Sequence, residues 1–237
     1  MKPQFLTVLF FFFFTYNIST QITEGTIIYE VKINLHQLLP EDMEGMKASI
    51  PEFQDLKKEL VFTRDQSLFV DYEEEVGRGR GSWFRMGARE IHHHNLKENI
   101  YTVQRGLMND DYLIEEEVER HPWTLTGRSE MIAGKICQLA YRVDDRDSSM
   151  IEVWFTPEIP LPIGPENYFG LPGAVLMAVI NYNEKIYIAT EIINRRVSDS
   201  RVQVPTRGKR VSRQEYQEIS EKLMEEFRSR AGGGRRR

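Results

Sequence analysis

The sequence predicts a mainly β chain (α+β at most): a strongly curved antiparallel sheet or half-barrel, followed by a C-terminal helix. Three observations carry this expectation. Short runs of alternating apolar and polar residues recur between Thr26 and Asn194, separated by turn residues. No run alternates with a long helical pattern, which argues against a parallel α/β sheet. One late stretch has helical spacing, with Tyr216, Ile219, Leu223 and Phe227 following Ser212.

The elements follow in order. In Thr26 to Leu35, Ile27, Tyr29, Val31 and Ile33 alternate with Ile28, Glu30, Lys32 and Asn34, which predicts a strand with one apolar face. His36 to Gln54 holds Pro40, Gly45 and Pro51 and reads as a loop or short helix. Lys58 to Thr63 and Ser67 to Tyr72 flank Arg64-Asp65-Gln66 as a hairpin. Glu73 to Gly81 is acidic, then Gly/Arg-rich, and reads as a loop. Ser82 to Met86, Ala88 to Leu96, Asn99 to Gln104, Tyr112 to Val118 and Thr124 to Gly127 continue the short strands. Lys135 to Val143 and Met150 to Thr156 form a further hairpin. A proline-rich passage leads to Ala174 to Tyr182 and then Lys185 to Asn194. Ser212 and Glu215 have the spacing of a capping box at the start of the helix.

Both ends of the chain are biased. Lys2 precedes an apolar run containing Phe10 to Phe14, and a short polar stretch follows. That is the layout of a secretory signal peptide, too short for a membrane span. Cleavage is expected near Thr20–Gln21, leaving no transmembrane span in the mature chain. Residues 195–237 carry 13 Lys/Arg against 6 Asp/Glu, and the remainder 18 against 30, within a total charge of -5. An acidic body thus precedes a basic end. The expected organisation is a signal peptide at 1–20, a curved β domain at 21–208, a helix at 209–230 and a flexible basic tail at 231–237. The single Cys137 excludes an intramolecular disulfide and a cysteine-rich zinc module. Its place between Ile136 and Leu139 predicts a buried thiol.

The most distinctive residues lie between Trp123 and Tyr182. They run Trp123-Thr124-Leu125, Ile132-Ala133-Gly134-Lys135-Ile136-Cys137, Val153-Trp154-Phe155-Thr156-Pro157-Glu158-Ile159-Pro160, Gly164-Pro165 and Phe169-Gly170-Leu171-Pro172-Gly173. In this order they resemble the GLPGLI family of secreted Bacteroidetes proteins. Tyr29-Glu30, Leu60-Val61-Phe62, Ser67-Leu68 and Asn99-Ile100-Tyr101 fit the same resemblance. Here the signature continues as Ala174-Val175 rather than Leu-Ile, a change between apolar, strand-compatible residues. The resemblance implies export to the periplasm or outer-membrane region and no known enzyme activity. Some members look distantly similar to curved-sheet lipoprotein carriers.

Read physically, Pro172 and Gly173 suit the two central positions of a type II turn, where the second needs positive φ. Gly170 suits a close backbone approach. This signature turn, Gly170, Leu171, Pro172 and Gly173, either fixes the entry of a central strand or forms a ligand contact. Pro157, Pro160, Pro162 and Pro165 keep the preceding chain extended without ladder donors, as a rigid crossover or the rim of a groove.

On a strand, Glu90, His92 and His94 share one face and His93 takes the other. The first three are candidate ligands for zinc or copper, with His36 and His121 as distant additions; the alternative is a surface histidine cluster. No HExxH or GxSxG is present, and Gly77-Arg78-Gly79-Arg80-Gly81 lacks the context of a phosphate loop.

The leading functional expectation is a non-enzymatic envelope protein that binds a lipid or other apolar ligand. Trp154, Phe155, Phe169, Leu171 and Val175 are its candidate lining residues. An interaction accessory of an outer-membrane receptor or transporter is the alternative, and transition-metal binding the third. No cofactor and no nucleic-acid partner are expected. The protein is expected outside the cytoplasm: in the periplasm, at the outer membrane or beyond the cell.

Overall fold

In the computed structural model, which describes residues 21–39, 41–72, 90–119, 121–144 and 147–232, the alternating segments join one twelve-stranded sheet. In chain order the strands are β1 Gly25–Asn34, β2 Phe53–Phe62, β3 Gln66–Asp71, β4 Glu90–Asn95, β5 Ile100–Leu107 and β6 Asp110–Glu117. They continue as β7 Thr124–Ile132, β8 Lys135–Val143, β9 Met150–Thr156, β10 Ala174–Ile180, β11 Lys185–Ile193 and β12 Lys209–Val211. The spatial order is β12-β6-β5-β4-β3-β2-β1-β11-β10-β9-β8-β7. Two antiparallel meanders, β1–β6 and β7–β11, are therefore sewn together by the β1–β11 pairing. The sheet is not closed. It is strongly curled at one end, because the end strand β7 comes close to β11 across the intervening strands.

Cross-strand register defines one continuous inner face. Tyr29 and Val31 lie opposite Ala189 and Tyr187, Leu60 opposite Phe69, Phe69 opposite His92, and His92 opposite Val103. On the far side Ala178 pairs with Tyr187 and with Val153. The inner face carries the largest buried side chains, among them Tyr29, Tyr187, Phe69 and Phe155. Each such apolar side chain contributes about 1.5–3 kcal/mol.

The crossover between β9 and β10 packs onto this face. Ile159, Leu161 and Ile163 are buried, while the intervening Pro160 and Pro162 are exposed. The N–H of Leu161 donates to the Ile159 carbonyl and that of Ile163 to the Leu161 carbonyl, so tight three-residue turns replace the ladder bonds that proline cannot make. Val175 N donates to Ile163 O at 2.9 Å, and the Tyr29 hydroxyl donates to Val175 O at 2.6 Å.

The two signature glycines exchange their expected roles. Gly170 takes the positive φ, at 92°, and a Cβ there would meet only Trp123 Nε1 at 4.0 Å. Gly173 is not among the positive-φ residues. A Cβ there would lie 2.1 Å from the Thr156 carbonyl oxygen, so Gly173 is the position of close approach. Leu171 is buried. The turn thus fixes how β10 enters beside β9.

Three further differences concern boundaries. β2 begins at Phe53, inside the stretch read as loop. β7 extends to Ile132, past the expected end at Gly127. The segment from residue 209 is not helical throughout: Lys209–Val211 pairs in parallel with β6, and the helix proper is Arg213–Gly232. We call it α2, after the short α1 at Leu35–Leu38. The capping box is present, with Glu215 N donating to Ser212 Oγ and Ser212 N to Glu215 Oε2. The expected signal peptide, the loop at Glu73 to Gly81, the strand at Ser82 to Met86 and residues 233–237 of the tail lie outside the described residues.

From β11 the chain crosses the outer face to reach β6. Arg201 binds Glu59, whose register partner is the outward Ile28, and Val202 is buried. Among the described residues, no helix is long and apolar enough to cross a membrane.

Candidate functional site

Four of the five expected lining residues are core. Trp154, Phe155, Leu171 and Val175 are packed with the β9–β10 crossover, and the most exposed of them, Trp154, keeps 8% of its surface. They pack against the crossover's own aliphatic side chains and are not among the walls of the cavities described below. Phe169 differs: it is half-buried, stacks on His94 at 4.2 Å and lines a cavity.

The histidine strand β4 is where the inner face turns polar. Register places Glu90 opposite Arg105, His92 opposite Val103 and His94 opposite Tyr101, all inward; His93 points to the other face. His92 Nε2 lies 3.1 Å from Glu90 Oε2, and Nδ1 lies 2.6 Å from the Tyr101 hydroxyl. An ionised Glu90 only accepts, so Nε2 carries the proton and Nδ1 accepts from Tyr101. Arg105 donates from Nη2 to Oε2 at 2.9 Å, and its Nε lies 2.8 Å from Oε1 as an ion pair without hydrogen-bond geometry.

The third member of this cluster comes from the crossover. One ligand atom each from Glu90, His92 and Glu166 lie within 4.8 Å of one another. Lys185 on β11 donates to Glu166 Oε1 at 2.6 Å. The three expected metal ligands are not brought together: Glu90 and His92 lie beside Glu166, and His94 packs against Phe169 and Tyr101 instead. His36 bonds the Ile50 carbonyl, and His121 lines a separate small cavity.

Burial pushes the Glu166 carboxyl up, but Lys185, His92 and hydrogen bonding outweigh it and hold it at about 2. Burial raises Glu90 too, and His92 and Arg105 bring it below the usual carboxylate range. Burial drives the His94 imidazole down to about 4, helped by His93, so it is neutral near pH 7. Burial and the nearby Glu166 and Glu90 push the Tyr101 phenol well up.

The cluster opens onto a cavity of about 480 Å³ between the sheet, the crossover and α2. His92, Tyr101, Arg105, Glu166, Lys185 and Arg213 are among its walls. A neighbouring cavity of about 290 Å³ shares Tyr101, Asp144, Asn167 and Arg213 with it. Most of the lining of the larger space is polar or charged, with cations and carboxylates interleaved.

Chemically, the arrangement presents fixed donors and acceptors. Tyr101 is held protonated and is no nucleophile at neutral pH. Cys137 is buried on β8, its thiol pushed up to about 11 by burial, and is inert for the same reason. Glu166 was not read as functional from the sequence. Its one local signal is a non-glycine residue at positive φ, 46°, in Pro165-Glu166-Asn167, which only the fold reveals.

Comparison with known proteins agrees with the mainly β fold. Residues 138–177, which hold most of the distinctive motifs, match a family model described as a protein of unknown function (Porph_ging), of Bacteroidetes type. No curated protein matches the chain. Two solved structures of PNGF-II, in the P21 and C2 space groups, are similar to it. Each has a TM-score of 0.58 and 14% identity over 83% of this chain, and 33% and 32% of theirs. The chain spans about a third of the length of these structures, and at this identity the likeness concerns the fold alone.

Proposed function

We propose that this chain is a non-enzymatic, exported envelope protein that binds a small polar ligand in the inner-face cavity. The observation that carries this reading is the contrast along one face. The apolar part is filled by Ile159, Ile163 and Leu171, and the polar part is open and walled by rigidly paired charged groups. Interleaved donors and acceptors suit a ligand that carries both, such as an amino acid or a hydroxy acid. The ordered motifs support a GLPGLI-type protein, and with it export. Native mass spectrometry after gentle purification tests the reading. The expected result is a small polar adduct that is lost in Glu166→Gln and Arg105→Gln. A lipid adduct, a clean apo mass in every preparation, or an adduct that survives both substitutions contradicts it.

A second reading is a divalent cation at Glu90, His92 and Glu166, favoured by their mutual closeness. The oxygen and imidazole donors suit zinc. It ranks second because Arg105 and Lys185 already neutralise both carboxylates, and a metal must displace them. Titration with zinc alone, read by calorimetry, tests it. Saturable 1:1 binding lost in His92→Ala supports this reading; absence of heat removes it.

A further inference from the structure

The basic end of the sequence is not a free tail over its described part. Arg207 pairs with Asp111 at 2.7 Å, Lys209 with Asp110 at 3.2 Å and Arg210 with Glu115 at 3.6 Å. Arg213 pairs with Glu116. These four cations read along residues 207–213, and their four partners all lie on β6. Gly208 makes the approach possible: a Cβ there would sit 2.9 Å from the Asp111 backbone, at φ 127°.

The element held in this way forms one side of the cavity. Arg213 and Gln217, one turn apart on α2, are part of the cavity wall. The apolar contribution to docking centres on one side chain: Tyr216 is buried with Tyr101, Val103 and Ile114 and meets Tyr112 edge-on at 5.5 Å, while Val211 and Ile219 are only partly buried. The backbone contribution is a three-residue parallel pairing at the sheet edge. The ion pairs are largely solvent-exposed; Arg207 keeps 83% of its side-chain surface and Arg210 72%. Exposed pairs of this kind are weak singly and are screened by salt.

We propose that β12 and α2 form an electrostatic latch over the inner-face cavity, closed by the β6 carboxylates and released as ionic strength rises. This deepens the polar-ligand reading by naming what controls entry to that cavity. The acidic body and basic end of the sequence are then two halves of one closure.

Hydrogen exchange of the full chain, with no ligand present, tests the latch. Between ~0.02 M and ~0.5 M salt the screening length falls from about 20 Å to about 4 Å. Amides of Lys209–Val211 and of the first turns of α2 should exchange about tenfold faster at the higher salt, with β1 and β10 unchanged. Glu115→Lys should show the fast exchange at low salt already, and adding Arg210→Glu should restore protection. Salt-independent protection, or a double variant that behaves like the single one, overturns the proposal. If Glu115→Lys does not fold, the salt series on the unaltered chain still decides. A cavity that binds nothing leaves this result standing, and a failed latch leaves the cavity reading intact.

Discussion

The two halves of the inner face are built from one sheet and differ in almost every physical respect. Over β1 and β8–β11 the crossover inserts Ile159, Ile163 and Leu171 against Phe155, Val175 and Tyr187, and the space is filled. Over β4–β6 the same face presents Glu90, His92, Tyr101 and Arg105, and the covering elements leave a cavity. The difference teaches how one sheet face can be filled at one end and left open at the other. Filled apolar packing holds the curl, while a charge-balanced polar network keeps a shaped space open beside it.

Ways to break this contrast begin in the filled half. Phe155→Ala should cost about 3–5 kcal/mol and Ile163→Ala about 2–5 kcal/mol, read as a drop in denaturant midpoint with an unchanged slope. A cost under about 1 kcal/mol at both sites would mean that the half is loosely packed.

In the polar half, Glu166→Gln should cost about 3 kcal/mol at pH 7, because the partly buried Lys185 ammonium loses its partner. The same carboxyl sets an acid limb. Its folded value of about 2 lies below its ordinary 4.5, so its stabilisation is complete above about 4.5 and is lost as pH falls through about 2. The Gln variant should therefore show a shallower loss of stability across that window. An unchanged acid limb would place Glu166 outside the network.

His94 gives a smaller, separable effect at higher pH. It is held at about 4 against an ordinary 6.5, so the unfolded chain takes up a proton first. Stability should fall by up to about 2.5 kcal/mol between pH 6.5 and 4, and His94→Phe should flatten that slope. An imidazole NMR midpoint near 6.5 would contradict the burial that the Phe169 stack imposes.

The smallest effect belongs to the latch. Arg210→Ala should change global stability by less than about 1 kcal/mol, since its pair is exposed, while still loosening α2 in hydrogen exchange.

The strands were legible because alternation is local: Ile27, Tyr29 and Val31 announce their face without help from the rest of the chain. So were the capping box at Ser212 and the buried Cys137. The site was only half legible. The spacing of Glu90 and His92 showed a shared face, but Glu166 reaches them through a crossover whose path depends on the Thr156 carbonyl and the buried aliphatics. The signature glycines were misread for the same reason, since close approach at Gly173 is a tertiary contact. At three residues, β12 is too short to show a period, and its pairing depends on charges far away on β6.

The central claim, that ligand enters only the polar half, is tested most directly by NMR titration of the labelled chain with two probe sets. One set is small amino and hydroxy acids, the other fatty acids. The account predicts that the polar set moves His92, Arg105 and Asn167 signals and that the fatty acids leave Phe155, Leu171 and Val175 unmoved. Saturable shifts of Phe155, Leu171 and Val175 by a fatty acid, with His92 and Arg105 silent to every polar probe, would contradict it.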